Sequence, residues 1–146
     1  MEQPKPCLHP GWELVYNLKL PEPTILLNRW GKMHHQAKKR HMKKLGWMVL
    51  AANQGKPASP LHLSWVHVKR GNPKPFPDLD GLIGGLKPLL DVLVCPRLRN
   101  PHGLGFIVDD SQQYLKRLTA ESFTTPRHEG HTYVEIYTPK KSRVAA

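Results

Sequence analysis

The hydrophobic patterning of this 146-residue chain predicts an α+β (α/β) fold, a single domain built on a small mixed β-sheet with two main helices. Three observations carry that prediction. Residues 12–20 and 61–69 alternate their large apolar groups with period two, as strands do, and two further strands are expected near the C-terminus. One longer segment, residues 36–52, repeats its apolar groups at helical spacing. The length suits one hydrophobic core that needs no disulfide staples.

In chain order, residues 1–10 hold three prolines and read as a loose N-terminal arm. The domain proper is expected over 11–139, followed by a basic tail over 140–146. Residues 12–20 place their large apolar groups mostly at even positions, which predicts a strand that Pro21 and Pro23 terminate. After a short loop, residues 36–52 form a helix with Ala37, His41, Leu45, Met48 and Ala52 near one face. The stretch Gln54, Gly55, Lys56, Pro57 ends it. A second strand is expected over 61–69 and a proline-rich loop over 71–77. A helix then covers part of 82–94. Pro88 inside it calls for a kink or a late start, and Gly84, four residues back, lets the backbone adjust. Residues 95–105 read as an irregular loop. Two strands follow near 114–123 and 132–138, with a turn over 126–130.

Charge narrows the function classes. Lys plus Arg is 22 against 11 for Asp plus Glu, a formal net charge of +11, which favours a polyanionic partner. Residues 28–44 concentrate this charge: Arg29, Lys32, Lys38, Lys39, Arg40, Lys43 and Lys44, with His34, His35 and His41 and no carboxylate. Such a segment can grip a phosphate backbone and release its counterions, or can be a merely solvated helix face. No apolar run approaches a membrane span. The N-terminus lacks a hydrophobic signal region, and Cys7 and Cys95 suit a reducing compartment, so a cytoplasmic protein is expected.

The acids are distributed differently. All five aspartates, Asp78, Asp80, Asp91, Asp109 and Asp110, fall between 78 and 110, and all six glutamates lie outside that window. Mg²⁺ prefers short, hard oxygen ligands of this kind. In an extended segment Asp78 and Asp80 point to the same side. A helix starting just after Asp80 would carry Lys87 about two turns along and Asp91 four residues beyond it. The pair Asp109-Asp110 ends a short apolar run and can join from a neighbouring strand. Carboxylates holding Mg²⁺ beside a lysine are suited to phosphodiester hydrolysis. Each piece also has a plainer reading. Asp80 can cap a helix, Asp109-Asp110-Ser111 can be a turn, and Lys87 with Asp91 can be a surface pair. The histidine spacing does not suit zinc. Neither a Gly-x-x-x-x-Gly-Lys-Ser/Thr loop nor a Gly-x-Gly-x-x-Gly after a strand is present, so no nucleotide cofactor is expected.

The order Asp78-x-Asp80, a Lys87-bearing helix, Asp91, then Asp109-Asp110 resembles the RusA-like Holliday junction resolvases of phages and prophages. The likeness is strongest from Asp78 to Gln112 and weaker over the rest, including Asn28-Arg29-Trp30. It implies Asp78, Asp80 and Asp110 as metal ligands, Lys87 as the catalytic lysine, and Asp91 and Asp109 as supporting acids. It further implies Mg²⁺, with Mn²⁺ as a substitute, and a homodimer that nicks a four-way junction symmetrically in a bacterial host. A two-fold substrate suits a two-fold protein. The chain departs from the family pattern at Gly81, where Asn is common, and at Gly84, where some members carry the lysine. Arg97 and Arg99 extend the 95–105 loop and are further candidates for DNA contact. The alternative expectation is a branched-DNA-binding protein of the same fold with impaired catalysis. A basic RNA-binding protein is a third, which the aspartate cluster argues against.

Overall fold

The structure, a computed structural model, describes residues 9–140. Most of the expected N-terminal arm, the basic tail beyond Lys140, and Cys7 lie outside the described residues. Eight elements follow one another: β1 (Trp12–Leu20), α1 (Leu27–Lys32), α2 (His35–Ala52), β2 (Ser64–Asn72), α3 (Leu79–Gly84), α4 (Lys87–Leu93), β3 (Leu115–Thr124) and β4 (His131–Pro139). The strands form one mixed sheet in the order β1-β4-β2-β3. β4 pairs antiparallel with both β1 and β2, while β2 and β3 run parallel. The fold is therefore the expected α+β domain with a small mixed sheet, α2 and the α3–α4 pair supplying its two helical units.

One face of the sheet holds the apolar core. Leu18 and Leu20 of β1, Val66 and Val68 of β2, and Val134 and Ile136 of β4 alternate inward, and are covered by Met42, Leu45 and Val49 of α2. Leu89, Val92 and Leu93 of α4 complete the layer. Removing these side chains from water is the main favourable term, about 1.5–3 kcal/mol for each fully buried one. The buried stripe of α2 sits one residue away from the expected face. Met48 and Ala52 are only partly buried, and His41 faces a cavity rather than the core.

The opposite face of the sheet is built from aromatic and ionic side chains. Trp65 stacks on Tyr137 at 4.6 Å between ring centroids. Lys69 meets Glu135 at 3.1 Å with both side chains almost fully buried. Tyr137 donates to the other oxygen of Glu135 at 3.0 Å. A buried pair of this kind holds only because each ion is hydrogen-bonded as well as paired.

Three boundaries differ from the sequence reading. β2 begins at Ser64 rather than near residue 61, because Leu61 instead forms an isolated parallel bridge to Ile107. Residues 27–32 form the short helix α1 in place of a plain loop. The expected helix over 82–94 is two helices. The chain leaves α3 at Gly85, where a Cβ would overlap the carbonyl oxygen of Ile25. It starts α4 at Lys87 with Pro88 in the first turn, where a missing N–H costs little.

Candidate functional site

Parallel strands require a crossover, and the one from β2 to β3 holds α3, α4 and the loop after them. Every aspartate of the chain lies in this single connection. The acid-rich window of the sequence is thus one topological unit. Its two ends, however, leave opposite ends of the parallel pair. Asp78 and Asp80 follow the last residue of β2, whereas Asp109 and Asp110 precede the first of β3, and the two strands pair along their full length.

Asp78 is the N-cap residue of α3, extended at φ −64° and ψ 147°, and its carboxylate makes no capping hydrogen bond. The helix starts at Leu79, so Asp80 is already helical. Its Oδ1 accepts the Gly81 N–H at 2.9 Å. The expected extended Asp78-x-Asp80 segment is therefore not formed, and Lys87 does not follow Asp80 along one continuous helix. Both carboxylates are exposed, and among the described residues neither has an ion-pair partner.

The second group is closer knit. Lys87 Nζ stands 3.7 Å from Asp91 Oδ1, the i, i+4 pair expected on α4. Asn100 donates to the Asp91 carbonyl at 2.7 Å, closing a turn in which Arg97 and Asn100 exchange backbone hydrogen bonds. This turn points Arg97 at the aspartate pair. Its guanidinium is 3.0 Å from Asp109 Oδ1 and 3.8 Å from Asp110 Oδ1. Ile107, bridged to both Leu61 and Val94, anchors the strand-like segment just before the pair.

Electrostatics separate these acids. Burial raises the pKa of the Asp91 carboxyl, and the nearby Asp110 charge adds to the rise, while Lys87 and Arg97 oppose it. Burial also acts upward on Asp109. There it is outweighed by the Asp110 backbone N–H, the Arg97 charge and hydrogen bonds from Ser111 and Asp110, so its pKa falls. Asp109 Oδ1 is sealed from solvent and lacks an aligned hydrogen bond despite the short approach of Arg97. The contact is thus a charge pair rather than a directed bond.

The donor chemistry of these side chains suits a hard cation. Their arrangement does not gather a ligand set: among the described residues, no three His, Cys, Asp or Glu side chains are placed to hold one metal ion. Arg97 takes the place of a cation beside Asp109 and Asp110.

The basic residues lie on α1 and α2. Arg29, Lys32, Lys39, Arg40, Lys43 and Lys44 are exposed, and Lys38 is half-buried over the Trp30 ring at 5.1 Å from its centroid. Lys44 pairs with Glu22 at 2.6 Å. Arg99 is exposed in the 97–100 turn. A further basic residue stands apart from these runs of charge. Arg70 falls two positions after Val68 on the inward-facing set of β2 and is 7% exposed. A cation at an inward position of an otherwise apolar strand face was the signal.

Among the described residues, no helix is long and apolar enough to cross a membrane. No protein-family model matches the chain, and no curated protein is significantly similar to it.

Proposed function

We propose that the protein is a Mg²⁺-dependent, structure-specific endodeoxyribonuclease acting on branched DNA, with the four-way junction as its preferred substrate. The single observation that supports this reading best is the confinement of every aspartate to the β2–β3 crossover of an otherwise strongly basic chain. In this reading Asp78, Asp80 and Asp110 hold Mg²⁺, or Mn²⁺ in its place. When bound, the ion supplies charge neutralisation and Lewis-acid activation for phosphodiester hydrolysis. Lys87 offsets charge on the phosphoryl group, and Asp91 and Asp109 orient Lys87 and Arg97. Arg29, Lys32, Lys38, Lys39, Arg40, Lys43, Lys44, Arg97 and Arg99 provide backbone contacts, which makes affinity strongly salt-dependent. The active species is a homodimer matching the two-fold junction, working in the cytoplasm of a bacterial host on phage or prophage DNA.

Among the described residues no three acidic side chains are gathered around one metal position, so this reading requires Asp78, Asp80 and Asp110 to be drawn together on the substrate. That requirement favours a second reading, a branched-DNA-binding protein with impaired catalysis, in which Arg97 permanently neutralises the Asp109-Asp110 pair. The test is incubation of a synthetic four-way junction with the protein across Mg²⁺ and Mn²⁺ concentrations. Paired nicks that disappear in Asp80→Asn support the nuclease. Tight binding with no nicks at any metal concentration transfers the assignment to the binding protein.

A further inference from the structure

A cavity of about 440 Å³ lies between the 22–26 segment, α1, α2 and the end of β2, and no aspartate of the crossover lines it. Its walls include Arg29, His41, Lys44 and Arg70, with Glu22 as the one carboxylate. Three permanent cations thus face one anion, and that anion is already paired with Lys44. Arg70 is the informative member. Its Nε donates to the Thr24 carbonyl at 2.7 Å, which fixes the guanidinium, yet among the described residues no carboxylate pairs with it. Burial lowers the pKa of Arg70, and burial together with Lys44 and Arg29 lowers that of His41 against the upward pull of Glu22. An almost buried arginine without a counterion is costly unless an anion arrives to meet it. A phosphate group, which arginine grips with two parallel N–H bonds, is the anion best matched to that geometry.

Lys44 continues the surface outward. It also lines a shallow depression with Arg40, Lys43, Met48 and Trp47. Trp47 is 65% exposed on a helix whose other large apolar groups turn inward or are half-covered. An exposed indole ringed by cations is the standard platform for stacking an unpaired base, because every base offers a π-face once it leaves the duplex. A duplex keeps its π-faces stacked inside and presents only edges and phosphates.

We propose that this cavity and Trp47 form a binding surface for an unpaired nucleic-acid strand, with a backbone phosphate in the Arg29–Arg70 cavity and a neighbouring base on the indole. The surface needs no metal and uses no carboxylate of the crossover. It goes beyond the four-way-junction reading, since the arms of such a junction are fully paired and the strand held here is unpaired, and it stands or falls independently of cleavage.

The test is the anisotropy of fluorescein-labelled ten-nucleotide oligothymidylate, titrated with the full chain in EDTA. Trp47→Ala and Arg70→Gln should each weaken binding by about tenfold or more. Arg29→Gln, at an exposed position, gives the same readout should Arg70→Gln fail to fold. The His41 ring resonances provide a second measure. Bound strand should raise the His41 pKa, whereas a merely structural role for Arg70 would leave it unmoved. Three results overturn the proposal: unchanged affinity in folded Trp47→Ala, equal and equally Trp47-dependent binding of a blunt duplex, or thymidine monophosphate binding as tightly as the strand. The last would make the cavity a site for a free nucleotide. Because EDTA suppresses cleavage throughout, a protein that cuts no junction can still pass, and an active nuclease can still fail.

Discussion

The acidic crossover and the basic α2 face differ in how their charges are compensated. In the crossover, Lys87 and Arg97 already stand beside Asp91, Asp109 and Asp110, so the negative groups nearest β3 are neutralised from within. In the cavity, Arg29 and Arg70 face a single carboxylate that is engaged with Lys44. The comparison teaches that a cluster of like charges in the sequence says little about demand for a ligand. What matters is whether the fold supplies the counterions, and among the described residues it supplies them to Asp91, Asp109 and Asp110 and withholds them from Arg70.

The largest expected effect tests whether the acidic side is catalytic at all. Asp110→Asn should lower junction cleavage by about 10²–10³-fold, the scale for losing one essential charged group, while junction affinity stays nearly unchanged. Equal losses of cleavage and binding would instead make Asp110 part of the DNA-binding surface. Next in size is the support beneath the crossover. Leu93→Ala, at a fully buried position of α4, should cost about 2–5 kcal/mol in denaturant unfolding. A cost near zero would mean that α4 does not hold the acidic side in place.

Much of this architecture was legible in the sequence. The period-two segment 12–20 gave β1 to the residue, the strands expected near 114–123 and 132–138 match β3 and β4 within a residue, and the 36–52 pattern gave α2, because alternation and helical spacing are local signals. The bounds of β2 slipped because Leu61 and Leu63 continue the apolar run while Ile107, far along the chain, claims Leu61. The break between α3 and α4 was half-visible in Pro88, but the close approach of Ile25 that demands Gly85 is a tertiary fact. The aspartate cluster was plain by composition. Its division between opposite ends of the β2–β3 pair was not, since it depends on those strands being parallel with β4 on the far side of β2. Arg70 was not legible because a lone cation at an inward position forms no run of charge, and its burial is set by the sheet and the 22–26 segment.

Smaller effects sharpen the contrast. Lys39→Ala, exposed on α2, should weaken junction binding uniformly and reduce the slope of log affinity against log salt by about 1. An unchanged slope would remove Lys39 from the phosphate contacts. The acids give the subtlest signal, in opposite directions. The raised pKa of Asp91 means that the folded state holds its proton longer than the unfolded chain, so this group's contribution turns unfavourable as pH rises through the carboxylate range. Asp91→Asn should therefore raise Tm at neutral pH and leave it unchanged at strongly acidic pH. Asp109, with its pKa lowered, contributes stability above the ordinary carboxylate value and loses it as pH falls through the folded value. Arg97→Gln should weaken that acid-linked loss, seen as a shallower fall of Tm on acidification.

The most direct test of the central claim is cleavage of a four-way junction by the wild-type chain in Mg²⁺, beside a linear duplex of matching sequence and an EDTA control. Symmetric nicks on the junction alone, abolished by EDTA, are the predicted result. A junction that is bound but left intact at every Mg²⁺ and Mn²⁺ concentration would contradict the nuclease assignment.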